Sequence, residues 1–282
     1  MYYIWFNITN STSIFDRKER TLSEGSDGGK NNLGISTTIS LPLSGKQEKI
    51  VSIISALRDR RNDSSNVLQV RDNITSDLGI LYCWNLKPKR TGRKNNHISV
   101  GQENQLEDTL TKLSTLDKEF SSLLRLSNEN IVNYVSMKFT KQNDTISVFL
   151  LQEYVQGISL SYYLDHKIPL SYPFLKHVNE GTLKALHFLH QNNVVHRDLR
   201  DSSIYIDKKA GVIRVADYSI ERRLIDCAQE FYSIKPQYVY PQSPGRGGKK
   251  GDIYRLGLVM LSLYAGERVT QVCNQLLFMF VE

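Results

Sequence analysis

Apolar positions along this chain follow two periods, and the expected structure changes where the period does. Ile50-Val51-Ser52-Ile53-Ile54, Val67 to Arg71 and Ile80-Leu81-Tyr82-Cys83-Trp84-Asn85-Leu86 are short runs rich in β-branched and aromatic residues. Polar turns at Arg58 to Asp63 and Asp72 to Asp77 part them, the pattern of successive strands. Beyond a polar loop from Pro88 to Gly101, Leu106, Leu110, Leu113, Leu116, Phe120, Leu123 and Leu124 recur at helical spacing and predict a helix from Leu106 to Leu126. Ser147 to Tyr154, built on Val148-Phe149-Leu150-Leu151, returns to strand character. Helical spacing then takes over at Leu160 to Leu164 and at Phe174 to Asn192, where Leu175, Val178, Leu183, Leu186 and Leu189 form one face. Ile204-Tyr205-Ile206 and Val212 to Ala216 read as short strands, and Asp252 to Ala265 as an apolar helix. Residues 7 to 48 hold no lasting period and are rich in Ser, Asn, Thr and Gly, so residues 1–48 read as a disordered leader.

Composition narrows the function classes. The chain of 282 residues is 40% hydrophobic and 23% charged, which is ordinary for a globular protein. No apolar run approaches the roughly 18 residues of a membrane span, and Met1 to Phe6 is too short and uncharged for a signal peptide. No membrane partner is therefore expected. Cys83, Cys227 and Cys273 are odd in number and far apart, which predicts neither a disulfide framework nor a zinc site and suits a reducing compartment. His187 and His190 stand at i, i+3 with only Glu180 nearby, a structural pair rather than a metal pair. The net charge of +7 permits attraction to RNA or ribosomes, but a solvated basic surface explains it as well, and no DNA partner is expected.

The chemistry gathers in the second half. His196-Arg197-Asp198-Leu199-Arg200-Asp201-Ser202-Ser203 lies between a helical run and a β-rich one, and Asp217-Tyr218-Ser219 follows 19 residues after Asp198. Tyr240-Pro241-Gln242 and Asp252-Ile253-Tyr254-Arg255-Leu256-Gly257 come next. Four motifs in this order resemble the catalytic core of the protein kinases. The resemblance implies an α+β, bilobal fold: a small antiparallel β N-lobe with one helix over residues 49–155, and a mainly helical, incomplete C-lobe over 156–282. It also implies roles. Asp198 would orient and deprotonate an attacking hydroxyl, Asp217 would ligate magnesium, and Ser203 stands where a kinase places a metal-binding Asn. Tyr240-Pro241-Gln242 would close the activation segment, and Asp252 would brace the loop carrying His196 and Arg197. Glu119 takes the place of the glutamate that pairs with the phosphate-gripping lysine. Gln152 would gate the back of the nucleotide pocket, Glu153 to Gly157 would form the hinge, and Leu123, His196 and Tyr218 would stack as an apolar spine between the lobes.

The departures from the kinase pattern fall on chemical positions. Ser203 offers a shorter reach than a carboxamide to an ion that tolerates little error in its octahedral shell. Between Gly45 and Gly79 there is no glycine, so the backbone lacks the residues that let a nucleotide lid approach phosphates closely. The lysine position falls on Tyr82 or Cys83, and Lys87 rescues neither register, being on the opposite face from Tyr82 and about 13 Å along the strand from Cys83. Asp217, Glu119, Glu153 and Ser203 thus outline a degenerate nucleotide and magnesium site. No cofactor is required, and any ATP or magnesium binding is expected to be weak.

Tyr82-Cys83-Trp84, Asp217 to Leu224 and Gly247 to Leu258 are similar to the pseudokinase domain of the amino-acid-starvation kinases of translation initiation factor two alpha. This resemblance covers about residues 66 to 270 and is most specific over 194 to 265. It implies a cytoplasmic regulator whose partner is the cognate active kinase domain, with the ribosome or tRNA as further partners in a longer protein. The chain also ends soon after the Asp252 helix, which suggests a fragment or short isoform. Two other function classes remain open: a weakly active Ser/Thr kinase, since His196-Arg197-Asp198 is complete, and a basic RNA- or ribosome-associated module on a kinase scaffold.

Overall fold

The computed structural model describes residues 38–43, 48–57, 65–88, 100–229, 231 and 247–269. A six-stranded antiparallel sheet comprises β1 (Thr38–Pro42), β2 (Glu48–Leu57), β3 (Ser65–Asp72), β4 (Leu78–Leu86), β5 (Tyr134–Gln142) and β6 (Thr145–Glu153), in the order β1-β2-β3-β4-β6-β5. The helix α1 (Val100–Leu123) joins β4 to β5. A second lobe carries α2 (Leu160–Asp165), α3 (Tyr172–Gln191), α4 (Ile220–Gln229) and α5 (Lys249–Ala265). A three-stranded sheet, β7 (Gly157–Ser159), β8 (Ile204–Asp207) and β9 (Ile213–Val215), lines the join between the lobes. The architecture is the α+β, bilobal one that the resemblance implies.

β1 corrects the expectation of a leader running to residue 48. Ile39 and Leu41 alternate with more exposed neighbours, which is enough to bury them in a core with Val51, Leu68, Val70, Leu81, Cys83, Phe149 and Leu151. β1 also touches the far edge of the sheet. The Ser136 hydroxyl on β5 donates to the Pro42 carbonyl, and Lys138 Nζ donates to the Ser40 carbonyl at 3.2 Å. The sheet therefore curls until its first strand meets its last. Residues 1–37, on which most of that expectation rests, lie outside the described residues, as do Tyr240-Pro241-Gln242 and the turn between β2 and β3.

The opposite face of the sheet presents Val67, Tyr82, Trp84, Leu86, Val148 and Leu150 to a larger core. Leu106, Leu113, Leu116, Phe120 and Leu123 of α1 belong to it, and it continues into the second lobe through Leu186, Leu189, Val215 and Tyr218. α1 stops at Leu123 rather than Leu126. The N–H groups of Arg125 and Leu126 donate to Ser122 and Leu123, three residues back, tightening the exit turn. Along α3 the buried face carries Leu175, Val178, Gly181, Thr182, Ala185, Leu186 and Leu189, while Leu183 is on the exposed side. Among the described residues no helix is long and apolar enough to cross a membrane.

Candidate functional site

The cleft between the lobes is built on the register of β4. Tyr82 pairs with Leu150 and Cys83 with Phe149. Successive strand residues face opposite ways, so Cys83 enters the inner core of the curled sheet and Tyr82 enters the cleft. Of the two residues at which the resemblance would place a lysine, the one that faces the cleft is a tyrosine. Its ring stacks on Trp84 with centroids 5.9 Å apart. The Tyr82 hydroxyl donates to Asp217 Oδ1 at 3.3 Å, and Gln152 Nε2 donates to both Tyr82 Oη (3.0 Å) and Asp217 Oδ1 (3.1 Å). Three buried side chains form a closed hydrogen-bonded set where a lysine would meet phosphates.

Asp252, at the start of α5, organises the loop below. Its carboxylate accepts the His196 N–H at 2.8 Å, the Arg197 N–H at 2.9 Å and the His190 Nε2–H at 2.8 Å. That gives His190 a buried carboxylate as its partner. Arg197 adopts the left-handed φ of 74°, a conformation that non-glycine residues seldom take without support. His196 is fully buried; burial lowers its pKa and keeps the ring neutral, although the carboxylates of Asp252, Asp217 and Asp198 pull the other way.

Asp198 itself is surrounded by cations. Arg200 and Arg255 donate to its two oxygens, Arg255 at 3.1 Å, and Arg222 stands 3.8 Å away. Burial would raise its pKa, but Arg200, Arg255 and Arg222 together hold it below the usual carboxylate range. A base held so firmly ionised, with both oxygens engaged, is poorly placed to receive a proton from a substrate hydroxyl.

The metal positions are equally occupied. The Ser203 hydroxyl accepts from the Arg200 N–H and donates to the Arg200 carbonyl, closing the short 3-10 turn Asp201–Ser203 on itself. The space bounded by Asp198, Ser203 and Asp217 is roofed by Glu221, Arg222 and Ile225 of α4 and amounts to about 10 Å³. That volume holds about one water. Among the described residues no group of three His, Cys, Asp or Glu side chains could hold a metal ion. In this arrangement the Ser203 hydroxyl is committed to the Arg200 backbone, and Asp217 Oδ1 to Tyr82 and Gln152.

Glu119 pairs with Arg223 of α4 through two contacts. Glu153 binds Arg214 and accepts the Asn133 N–H at 2.8 Å. Leu123 and Tyr218 are buried in the shared core, and the Tyr134 hydroxyl donates to the Tyr218 carbonyl at 2.7 Å with rings 4.8 Å apart. Tyr134 extends the expected spine, and the sequence reading did not single it out. Nor did it find Arg222, Arg223, Arg255 or Arg268, the last of which ties Asp201 to Asp165. For Arg255 a signal existed, since it follows Asp252 by one helical turn and so shares its face.

A cavity of about 280 Å³ is lined by Val67, Ile80, Val132 and Ala216, by the hinge from Glu153 to Val155, and by Tyr82 and Gln152 at its inner end.

The protein kinase domain family matches residues 90–277. The human eIF-2-alpha kinase GCN2 is 34% identical over 204 residues, 71% of this chain and 12% of that protein, and the rat protein of the same name is 35% identical over an equal span. The Saccharomyces cerevisiae serine/threonine-protein kinase BCK1/SLK1/SSP31 is 30% identical over 170 residues, 58% of this chain and 11% of that one. The chain thus spans about an eighth of the length of these curated relatives. The crystal structure of the M. tuberculosis PknI kinase domain superposes with a TM-score of 0.52 at 16% identity, covering 77% of this chain and 73% of that one, a likeness of fold. With two thirds of its length matched, the chain belongs to the protein kinase domain family.

Proposed function

We infer that this domain regulates an adjoining Ser/Thr kinase of translation initiation factor two alpha, in the response to amino-acid starvation, and does little or no phosphoryl transfer itself. The observation that carries this reading is Tyr82, which stands where the phosphate-positioning lysine belongs and is hydrogen-bonded to Asp217 and Gln152. Phosphoryl transfer leaves little covalent work for the protein; it depends on positioning and on stabilising charge. Here the lysine is replaced, the metal positions are filled by internal hydrogen bonds, and Asp198 is enclosed by arginines. By contrast Leu123, His196, Tyr218 and Asp252 are buried and maintain a kinase-shaped surface, which is what a regulator needs. The name eIF-2-alpha kinase belongs to the relatives. In this reading the substrate belongs to the partner domain, and the ribosome or tRNA would act in a longer cytoplasmic protein.

The test has two parts. Purified protein with ATP and magnesium should label neither itself nor translation initiation factor two alpha. Co-expressed with the cognate kinase domain, it should bind that domain and change its rate by about 5- to 150-fold, the usual scale of coupling between domains. Phosphate transfer that Asp198→Ala abolishes would overturn the first part and favour a weakly active kinase, for which the complete His196-Arg197-Asp198 is the motive. Association that leaves basal and tRNA-stimulated rates unchanged would overturn the second.

A further inference from the structure

On the other face of the sheet from the interlobe cleft, the core that holds Ile39 and Leu41 ends in a larger cavity of about 720 Å³. Both cavities are lined by the end of β6 and the start of the hinge, Gln152 to Tyr154. Val51, Val70 and Leu151, buried in the curled core, form the floor of the larger one. Gly79 of β4 adds no side chain to that floor; a Cβ there would stand 2.9 Å from Leu151 Cδ1. Val135 lies at the irregular step between Tyr134 and Ser136 in the β5–β6 pairing, a bulge of the kind that re-aims a side chain. It is half-buried, packs against the same core and lines the cavity. The volume is within the roughly 300–1,000 Å³ typical of ligand pockets, and the mouth of a curled sheet is one of the places where they form.

The rim carries charges of both signs, and the two signs are unequally engaged. Asp72 takes Lys49 at 2.5 Å and the N–H groups of Ile74 and Thr75. Asp207 accepts from the N–H groups of Lys209 and Ala210 and stands 3.9 Å from Arg214. Glu153 is bound by Arg214 and by the Asn133 N–H, and Asp77 accepts the Thr75 hydroxyl at 2.6 Å. Among the described residues, each carboxylate that lines the cavity thus has a donor already. Arg71 and Lys209 line it too; they are exposed, and among the described residues their side chains have no partner. A guanidinium fork matches the oxygens of a carboxylate or sulfonate, and an ammonium adds a point charge. A ligand that suits both floor and rim is apolar at one end and anionic at the other.

We propose that the hinge end of the curled sheet binds a small amphipathic organic anion, with its apolar body over Val51, Val135 and Leu151 and its oxyanion at Arg71 and Lys209. The inference goes beyond the regulatory reading and is independent of it, because none of these residues belongs to the loop, metal or lysine positions discussed above.

The experiment is fluorescence titration of the full chain with two probes, anilinonaphthalene sulfonate and phenylnaphthylamine, which is the same ring system without the sulfonate. The sulfonate should bind saturably, with one-to-one stoichiometry. Arg71→Ala combined with Lys209→Ala changes two exposed side chains; it should weaken the sulfonate by about tenfold and leave the neutral probe within about twofold. Added salt should weaken the sulfonate alone. Val135→Trp, which fills the cavity, should weaken both probes. If Val135→Trp does not fold, the double variant and the two probes still decide. A double variant that weakens both probes alike would overturn the inference, since no oxyanion would then be held by the cations. One that weakens neither would overturn it as well, by placing the probes elsewhere, the interlobe cleft included. Either failure leaves the regulatory reading intact, whereas phosphate transfer by the purified chain would overturn that reading and not this one.

Discussion

Removing the Asp252 carboxylate should destabilise the catalytic loop out of proportion to the size of the change. In Asp252→Ala three hydrogen bonds disappear together, two from backbone N–H groups and one from His190. Each bond to an ionised acceptor contributes about 1.5–3 kcal/mol, but bonds that share one acceptor do not add in full. The three donors also fare differently. The His190 ring is 15% exposed and can turn to water. The His196 N–H belongs to a residue with no exposed surface, so it is stranded at a cost of about 1–3 kcal/mol. Arg197, at φ 74°, is held in a conformation that costs about 1–2 kcal/mol, and its release lets the loop relax and moves Asp198. The expected loss is about 3–5 kcal/mol, a large part of the roughly 5–15 kcal/mol typical of a folded domain. Urea unfolding followed by tryptophan fluorescence would measure it as a lower midpoint at unchanged slope. Asp252→Asn keeps one carbonyl acceptor and should lose about half as much. A loss below about 1 kcal/mol for Asp252→Ala would refute the bracing role, since even one stranded N–H should cost that much.

Other outcomes follow from single residues. Burial pushes the Cys83 thiol up to about 12, so at pH 8 almost none is thiolate; peptide mapping after alkylation should find Cys83 unmodified in native protein and modified in urea. Burial alone would raise the Asp72 carboxyl, but Lys49 and the N–H groups of Ile74 and Thr75 bring it down to about 2. A carboxyl lowered on folding contributes stability above its unfolded pKa, and that contribution drains away as pH falls from about 4 to about 2. Over that window the Tm of wild type should fall more steeply than that of Asp72→Asn, and parallel curves would count against the assignment. A Cβ on Gly157 would sit 2.3 Å from the Ile206 carbonyl oxygen across the β7–β8 pair. Backbone cannot yield there as a side chain would, so Gly157→Ala should cost about 1–3 kcal/mol in urea unfolding.

What the sequence made legible depended on how near in the chain the interacting groups lie. The His196-Arg197-Asp198 loop and Asp252 are short motifs, and the Asp252 carboxylate accepts the His196 and Arg197 N–H groups of that loop. The period from Leu106 to Leu123 identified α1 because a buried helix face repeats within a few residues. Tyr82 and Cys83 could not be separated from sequence, since only the pairing of β4 with β6 decides which side chain enters the cleft. The arginines were not legible for a similar reason. Arg223 meets Glu119 across 104 positions, and Arg255 meets Asp198 across 57. Ile220, Leu224, Ile225 and Ala228 recur at helical spacing, but that α4 stands over Asp198, Ser203 and Asp217 is set by elements distant in sequence. Leu183 shows the converse error: an apolar residue at helical spacing was counted as core although Gly181, Thr182 and Ala185 supply that face.

The contact of β1 with β5 bears on where a working version of this protein can be cut. An open sheet offers two rims to a passing chain, and proteins spend considerable sequence on guarding them. Here the rims guard each other, through Ser136 to Pro42 and Lys138 to Ser40, pairs 94 and 98 positions apart. Such distant closure is slow to form because long loops must be ordered before it is rewarded. A fragment started at residue 49, where the strong strand pattern begins, would lack the Ile39 and Leu41 side chains. Val51, Leu68 and Phe149 would then face water, and the β5 rim would be free to recruit another copy. A fragment that keeps residues 38–43 should stay monomeric where the shorter one self-associates.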